Sequence, residues 1–447
     1  MVNNVVQMTR GKLRRELNLV TLIAVMIGLN IGGSLFVLTA IAAGLTGPSL
    51  FVAQIISALP ILLALIPYLM LTSAIPTNCA NYQYAKLFSR PLAVAAWMGL
   101  FVAIPIGLLP LMAIATAKLL QVLIPGVPII GTAIIVMTIF FLINMIGVKA
   151  TAYVQLATVA LLVIALVIFV VPGIPAIEAR NLTPLFTGGA MGLIAASALL
   201  YTLLAGGLFG MEIGDEVKNA KSTIPRALII SIATVAVIYL LIEITAVGVM
   251  DWRIFAEGTL GTPAEAFLSG PLLGFFVVGG GILASITTIN LTLTAAGRYA
   301  LAFAEDGFFP GFFGNINQRF GTPHWGLTLG YGLSVITLLV NPPLQTLAAM
   351  LNFGLLFMVT LVLLAAFRLP KTHPKIYENA KFRFGRKTLA ITSLVAVVIN
   401  ILFMIILAVA LPLPALIFAG AGVIGIILYF IRTRQPGFTP TGFPLED

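Results

Sequence analysis

The chain has 447 residues, of which 60% are hydrophobic and only 9% are charged, and its formal net charge is +10. Soluble domains carry about 25% charged residues, so this composition excludes a soluble protein and predicts an all-α polytopic membrane protein. Long apolar runs also exclude a β-barrel, whose strands alternate in polarity. A single cysteine and two histidines exclude a disulfide framework and a metal centre rich in these residues, so no cofactor is expected.

Twelve apolar runs are long enough to cross a bilayer as helices. We number these predicted helices α1 to α12 in chain order. Their ranges are 18–43, 48–74, 91–123, 127–147, 152–172, 188–214, 226–250, 272–299, 324–341, 344–367, 389–411 and 413–432. Because twelve is an even number, both termini are expected on the same side of the membrane.

The basic residues give these helices an orientation. With the N-terminus inside, 21 of the 24 Lys and Arg residues fall in cytoplasmic segments, and only Lys118, Arg180 and Arg253 fall outside. Cytoplasmic loops are the ones enriched in Lys and Arg, so we expect a cell-membrane protein with both termini in the cytoplasm. The basic surplus then reflects topology. The lipid bilayer is the expected partner, and nucleic acid is not.

The centre of α1 carries glycines and small polar residues, in the run Gly28-Leu29-Asn30-Ile31-Gly32-Gly33-Ser34. Such residues are poor helix formers. In lipid, an open backbone is tolerated only where it lines a cavity or is buried in protein. We therefore predict a helix that is broken at mid-membrane, which is a candidate binding site in a transporter.

A second glycine pair, Gly206 and Gly207, lies in the middle of α6, 174 residues after the pair in α1. The prolines Pro48 and Pro225 follow the two breaks and are predicted to open the next helices. Five helices separate the breaks, so the second unit enters the membrane from the opposite side, as in an inverted repeat. The alternative for either glycine pair is close helix packing.

The expected segments are a cytoplasmic N-terminal segment (1–17), a first five-helix repeat (18–172), a second inverted five-helix repeat (173–368), a basic cytoplasmic loop (369–388), α11 and α12 (389–432) and a cytoplasmic tail (433–447).

Five motifs resemble those of the amino acid–polyamine–organocation (APC) transporters, and the resemblance covers nearly the whole chain. In chain order they are Ile31-Gly32-Gly33-Ser34-Leu35-Phe36, Ile75-Pro76 with Tyr82-Gln83-Tyr84, Asn144-Met145-Ile146-Gly147-Val148-Lys149, Asp215-Glu216-Val217-Lys218-Asn219-Ala220-Lys221-Ser222-Thr223-Ile224-Pro225-Arg226, and Arg298 with Ala304-Glu305-Asp306-Gly307-Phe308-Phe309-Pro310. The resemblance implies a LeuT-like fold, in which discontinuous α1 and α6 belong to a 5+5 inverted repeat and two C-terminal helices follow. It also implies secondary active transport of amino acids by alternating access.

Several positions depart from the family pattern. They are Gly33-Ser34 (the family order is reversed), Met70 (near a common Glu), Asn78-Cys79-Ala80-Asn81 (in place of a glycine pair), Leu162 (a lysine in some proton-coupled relatives) and Ala220 (usually proline). These departures concern the binding site and the coupling ion rather than the fold.

A broken helix leaves free amides at the start of its second half and free carbonyls at the end of its first half. We expect the amides near Gly32–Leu35 to bind a carboxylate. Carbonyls near Gly28 and near the α6 break are expected to bind an ammonium group, and the two together suit an α-amino acid. The predicted substrate-binding residues are Gly28, Asn30, Ile31, Gly32, Gly33, Ser34, Ile104, Tyr201, Thr202, Ala205, Gly206 and Asn290.

A second group of residues is predicted to gate the pathway or to couple it to an ion. These residues are Phe209, Glu243, Ser285, Thr287, Thr288, Glu216, Arg226 and Arg298. Phe209 or Tyr201 is a candidate aromatic gate, with packing or lipid contact as the alternative. Arg226, Arg298 and Glu216, together with Asp306, can pair across the cytoplasmic face.

The coupling ion is left open by the sequence, with H+ and Na+ as the candidates beside uncoupled exchange. Glu243 in α7 is an intramembrane carboxyl group, and we interpret it as a proton site or as an outer structural partner of Lys118. Glu212 and Lys118, nearer helix ends, are expected to reach an interface. The hydroxyls of α8 can help to ligate Na+, but helical Ser and Thr also bond their own backbone.

Other functions fit the sequence less well. A membrane enzyme needs clustered His, Asp or Glu inside its spans, a channel shows a repeated pore loop or polar rings, and a sensor needs a larger soluble domain. Among transporters, a polyamine or other organic cation carrier or exchanger is the alternative, and it requires acidic groups at the site. We expect neutral L-amino acids as substrates and a monomer or homodimer.

Overall fold

The structure, a computed structural model, describes residues 17–77, 79–147, 152–212, 214 and 217–435, except for the side chains of 152–155 and 305. Helices lie at all twelve predicted positions. Their bounds are α1 Leu19–Asn30 and Ser34–Thr46, α2 Leu50–Ala74, α3 Arg90–Leu123, α4 Ile129–Ile146, α5 Ala152–Gly173, α6 Gly189–Ala205, α7 Ala220–Val249, α8 Gly270–Phe275 continuing through Leu283–Glu305, α9 His324–Val340, α10 Leu344–Thr372, α11 Arg386–Ala410 and α12 Pro412–Thr433. Short helices occupy Ala80–Phe88, Trp252–Glu257, Gly261–Glu265 and Pro374–Glu378.

Ten helical stretches of the described part are long and apolar enough to cross a membrane. One of them, Ser34–Ala74, joins the second half of α1 to α2 through a short 3₁₀ turn. The first half of α1 and α9 are shorter apolar helices. The described chain is therefore an all-helical polytopic membrane fold, as predicted, while the number of crossings stays a prediction.

The helices divide into a buried core and a periphery. In the most apolar stretch of α10, 89% of the residues are buried, and the corresponding values are 78% for α3 and 72% for α6. Only 17% are buried in α4 and 22% in α12, which leaves their surfaces for lipid. The α6 break therefore belongs to a buried helix, and the residues of the α1 break, 31–33, are buried as well.

The third helix of each predicted repeat contains a π-helical segment. In α3 it spans Ile104–Leu108, and in α8 it spans Phe276–Ile282. Gly107 and Gly281 within these segments are 174 residues apart, the same spacing as the glycine pairs of α1 and α6. Because π-bulges are rare, their shared position agrees with the inverted repeat, which stays a prediction.

The structure corrects two local expectations around the second break. The regular helix of α6 ends at Ala205, and only a 3₁₀ turn, Gly206–Phe209, follows instead of helix to residue 214. The helix α7 begins at Ala220, so Pro225 lies inside it and does not open it. Three glycines within five residues (206–210) explain the early end of α6, because each costs helix stability.

Loop contacts distinguish the two ends of the helix bundle. At one end, the amide of Cys79, after α2, donates to the carbonyl of Glu212, after α6. We call this the basic end, because its loops carry most of the Lys and Arg residues. At the opposite end, the amide of Leu260, after α7, donates to the carbonyl of Phe36 in α1 at 2.9 Å.

Candidate functional site

The break in α1 leaves three amides without a hydrogen bond. The helix stops at Asn30 and resumes at Ser34, and the amides of Leu35 and Phe36 donate back to the carbonyls of Gly32 and Gly33 at 3.2 Å. Within the described part of the chain, the amides of Gly32, Gly33 and Ser34 have no acceptor. The two glycines are buried and Ser34 is partly exposed. The amides near Gly32–Leu35 were predicted to bind a carboxylate. Because the amide of Leu35 already donates to the carbonyl of Gly32, only those of Gly32, Gly33 and Ser34 are free to do so.

The first half of α1 ends with free acceptors. The carbonyls of Gly28 and Leu29 accept no hydrogen bond from the described residues, because the helix opens before their usual partners. The carbonyl of Asn30 accepts one from the Tyr239 hydroxyl of α7 at 2.6 Å. Donors and acceptors for a ligand therefore lie on the two sides of one three-residue gap.

The α6 break is packed directly against the α1 break. The Asn30 side-chain oxygen accepts a hydrogen bond from the amide of Gly207 at 2.6 Å. A Cβ atom on Gly206 would lie 2.8 Å from the carbonyl oxygen of Leu29. The Tyr239 hydroxyl also lies 3.5 Å from the carbonyl oxygen of Leu203. The glycines of α6 therefore permit close contact between two backbones, and Tyr239 bridges both helices.

The wall opposite the α1 glycines is α8. A Cβ atom on Gly33 would lie 2.6 Å from Ser285 Cα, and one on Gly32 would lie 2.7 Å from Thr288 Oγ1. The hydroxyls of Ser285, Thr287 and Thr288 donate to carbonyls of their own helix at 2.8–3.0 Å. The structure thus shows these hydroxyls bonded to the backbone of α8, as in the alternative to ion binding. Ligation of Na+ by their oxygens stays a prediction.

A family model described as amino acid permease matches residues 17–431. The chain belongs to the amino acid permease family. It is similar to the methylthioribose transporter of Bacillus subtilis (28% identity over 400 residues, 83% of this chain and 84% of the relative). It is also similar to the branched-chain amino acid permease BcaP of the same organism (26% over 409 residues, 84% and 85%). A third relative is the vacuolar cationic amino acid transporter 4 of Arabidopsis thaliana (26% over 376 residues, 78% and 62%). The permease is therefore a multi-pass membrane transporter and not an enzyme.

Other predicted site residues of the permease contact different helices. The Tyr201 ring is buried and lies edge-on to Phe403 of α11, at 6.4 Å between ring centroids. The side-chain oxygen of Asn290 accepts a hydrogen bond from Asn144 of α4 at 2.7 Å. Ile104 opens the π-helical segment of α3, and Phe209 closes the 3₁₀ turn after α6. Their roles in binding or gating stay predictions.

Two predicted acceptors on α6 differ in their availability. The carbonyl of Thr202 already accepts a hydrogen bond from the amide of Gly206. Ala205 is the last residue of the regular helix, directly before the break. For an ammonium group, the free carbonyls of α1 are therefore better placed than that of Thr202.

At the basic end of the permease, hydrogen bonds that sequence reasoning missed join the segments after α2 and α6. Asn81 donates to Glu212 Oε1 through its amide (3.1 Å) and its Nδ2 (2.7 Å), and its Oδ1 accepts from the Tyr68 hydroxyl at 2.8 Å. Burial raises the pKa of Glu212 to about 7, although the bonds from Asn81 act in the lowering direction. Glu212 is therefore partly buried and bonded to Asn81, a contact that the expectation of an interfacial residue did not include. Asn81 lies in the segment Asn78-Cys79-Ala80-Asn81, which departs from the family pattern, but no feature of that segment predicts a partner after α6.

At this end, Asp306 contacts residues outside the predicted charge network. Asp306 lies 3.9 Å from Lys86 Nζ and accepts a hydrogen bond from the Tyr82 hydroxyl at 3.3 Å. Arg226 and Arg298 are exposed and form no ion pair with the described residues. Glu216 lies outside the described residues.

At the end opposite the basic end, a cavity of about 400 Å³ opens beside the C-terminal end of α1. Its lining includes Gly44, Trp252, Arg253, Glu257 and Leu344. It adjoins α1 and the start of α10, which are two of the elements that enclose the breaks.

Proposed function

We propose that this permease moves neutral L-amino acids across the cell membrane by alternating access. The observation that carries the proposal is the set of three free amides at Gly32, Gly33 and Ser34. Free amides at a helix N-terminus, together with the positive end of the helix dipole, favour an anionic group such as an α-carboxylate. The free carbonyls of Gly28 and Leu29 favour an α-ammonium group.

We infer that the substrate has a neutral side chain, because the two broken helices offer no charged group to pair with a charged one. The described helices α1 and α6 carry no charged residue. A charged substrate side chain buried there would lose its hydration without compensation, which is expensive. The similarity to a branched-chain amino acid permease supports the same substrate class.

The alternative is a polyamine or other organic cation transporter or exchanger of the same fold. Glu243 of α7 favours it, because this carboxyl group is buried one helical turn from Tyr239, which touches both breaks. The similarity to cationic amino acid transporters points the same way. A polyamine, however, has no carboxylate to occupy the free amides of α1.

Ligand-induced thermal stabilisation of the purified protein separates these possibilities. A ligand at 100 times its Kd stabilises the folded state by about 2.7 kcal/mol. We expect stabilisation by L-leucine or L-alanine, and none by L-leucinamide, which lacks the carboxylate, or by N-acetyl-L-leucine, which lacks the ammonium group. Stabilisation by putrescine, L-arginine or methylthioribose in place of the neutral amino acids would overturn the proposal.

A further inference from the structure

Glu243 is the only Asp or Glu residue in the interior of the twelve apolar helices of the described chain, since Glu305 is the last residue of α8. Its side chain is 0% exposed, and neither carboxylate oxygen has a hydrogen-bond partner among the described residues. An isolated carboxylate buried in this way pays a large desolvation cost, and a buried group without a partner neutralises instead. The packing around Glu243 therefore accepts the protonated carboxylic acid.

No counter-ion compensates Glu243 from the neighbouring membrane helices. Its helix packs against α1, α2, α5 and α6, and none of these carries a charged residue. The other charged residues of α7 itself, Lys221 and Arg226, lie near its start at the basic end. Even the nearer of the two, Arg226, is about 25 Å from Glu243 along the helix axis, given a rise of about 1.5 Å per residue.

The remaining titratable groups around Glu243 carry no positive charge. Those with described side chains on α7 and on the four helices packed against it are the tyrosines Tyr68, Tyr201 and Tyr239. Lys118, the predicted partner, donates instead to the carbonyl of Glu257 at 3.1 Å. The prediction that Lys118 pairs with Glu243 is therefore wrong.

The loops that pack against α7 at the opposite end do not supply a partner either. Arg180 pairs with Glu178, and Arg253 pairs with Asp251 at 3.4 Å. The remaining acidic side chains of these loops, Glu257 and Glu265, are exposed. Every charged group near this end of α7 is therefore engaged with another residue or lies in contact with solvent.

Glu243 is also connected to the site through its own helix. It follows Tyr239 by four residues, so the two side chains lie on the same face of α7, one turn apart. The Tyr239 hydroxyl donates to the carbonyl of Asn30 and lies 3.5 Å from the carbonyl oxygen of Leu203. A change in the charge or hydration of Glu243 therefore acts one turn away from the contact that joins both breaks.

We propose that Glu243 is the proton-binding group that couples transport through this permease to a pH gradient. This inference rests on the proposed function. A proton from water on the outer side binds one carboxylate oxygen, and the neutral acid is then buried as it is in this structure. When the basic end opens and water reaches the acid, the same proton leaves to that water. Only H+ is taken up and released.

The first test compares wild type, Glu243→Gln and Glu243→Asp in proteoliposomes with radiolabelled L-leucine, L-alanine and L-arginine. For a 1:1 symporter, each pH unit of gradient supports about tenfold accumulation at equilibrium, since about 1.4 kcal/mol corresponds to a factor of ten. We expect Glu243→Gln to keep exchange at equal pH and to lose accumulation driven by the gradient. Glu243→Asp should keep part of that accumulation, and the exposed control Glu265→Gln should behave as wild type.

The outcomes separate this inference from the proposed function. Wild-type exchange without any response to the pH gradient, or gradient-driven accumulation by Glu243→Gln, would overturn the proton site while leaving transport intact. Absence of exchange for all three amino acids would overturn the proposed function.

A second measurement needs no substrate. Thermal stability of wild type should fall relative to Glu243→Gln as pH rises, because ionisation of the buried acid is costly. Parallel curves for the two proteins between pH 5 and pH 9 would reject the proton site.

Discussion

Each of the two helix breaks contains a pair of adjacent glycines, but the amides at the two breaks differ in their hydrogen bonding. In α1 the helix resumes after three residues, and the amides of Gly32, Gly33 and Ser34 stay free. In α6 a single 3₁₀ turn follows the break, and the amides of Gly206 and Gly207 both donate to protein acceptors. The first break can therefore serve a ligand, while the second is bound to the first.

This difference shows that glycines in a membrane helix do not by themselves identify a binding site. The α6 pair permits close packing, which is the ordinary role of small residues between membrane helices. The α1 pair allows α8 to approach and also leaves donors unused. Buried backbone groups are nearly always paired by hydrogen bonds. The hydrogen bonds of each amide and carbonyl therefore distinguish the α1 break from the α6 break, whereas their glycine content does not.

The largest expected effect comes from Gly33→Ala in the first break. The new Cβ would lie 2.6 Å from the Cα of Ser285, and backbone cannot move aside as a flexible side chain can. We expect a loss of uptake of about 100-fold, since a displacement of about 1 Å near a site can cost that much. Overpacking should also lower the unfolding free energy by about 1–3 kcal/mol.

Gly420→Ala is the matched control for that substitution. Gly420 lies in α12, and no neighbouring atom lies within 4 Å of the position that an added methyl group would occupy. Alanine there should leave uptake unchanged and should slightly raise the thermal midpoint, because Ala is the better helix former. Normal uptake by Gly33→Ala would show that α8 does not approach the α1 break this closely.

The next largest effect is expected from Asn30→Ala, which cuts the link between the breaks. The substitution leaves the buried amide of Gly207 without its acceptor, and an unsatisfied buried group costs about 1–3 kcal/mol. Thermal unfolding should therefore shift downward by several degrees. An unchanged midpoint would mean that the α6 break is held by something other than the Asn30 side chain.

The sequence predicted the existence of both breaks, their spacing and the all-helical class, because these follow from strong local signals. Glycine content, the length of apolar runs and the spacing of 174 residues between the glycine pairs can all be read directly from the sequence. The position of the α1 break was predicted within three residues. The predicted continuation of helix from the α6 break to residue 214 was wrong, since apolar composition continues past Ala205, where the regular helix stops.

Contacts between distant segments could not be predicted in this way. Tyr239 is 209 residues from Asn30, and Asn81 is 131 residues from Glu212. Nothing local in α7 indicates that one tyrosine bridges two breaks, beyond the general need of a buried hydroxyl for a partner. Tyr201 was predicted as a gate because it lies close to the α6 break in the sequence, but its ring contacts α11. The direction of a side chain depends on its position around the helix, and not on its distance along the sequence from the break.

A smaller effect should appear where the segment after the α6 break meets the basic end. The folded-state pKa of Glu212 is raised to about 7, above an ordinary value of about 4.3. Its contribution to stability is therefore fully present below the ordinary value and is lost as pH rises through about 7. The thermal midpoint of wild type should fall between pH 5 and pH 8, and Glu212→Gln should remove this part of the pH dependence. Identical pH profiles for the two proteins would count against a protonated Glu212.

The smallest expected effect belongs to Ser34→Ala, and it completes the comparison by acting on binding alone. The Ser34 hydroxyl forms no hydrogen bond with the described residues, so its loss should leave the thermal midpoint of the free protein unchanged. In the complex the hydroxyl is expected to donate to the substrate carboxylate, and one hydrogen bond of about 1 kcal/mol corresponds to roughly a fivefold weaker Kd. Measured beside Asn30→Ala, this variant should weaken L-leucine binding without loss of stability, whereas Asn30→Ala should lose stability first. If Ser34→Ala destabilised the free protein and left the Kd unchanged, the α1 break would resemble the α6 break, and its free amides would not form a carboxylate site.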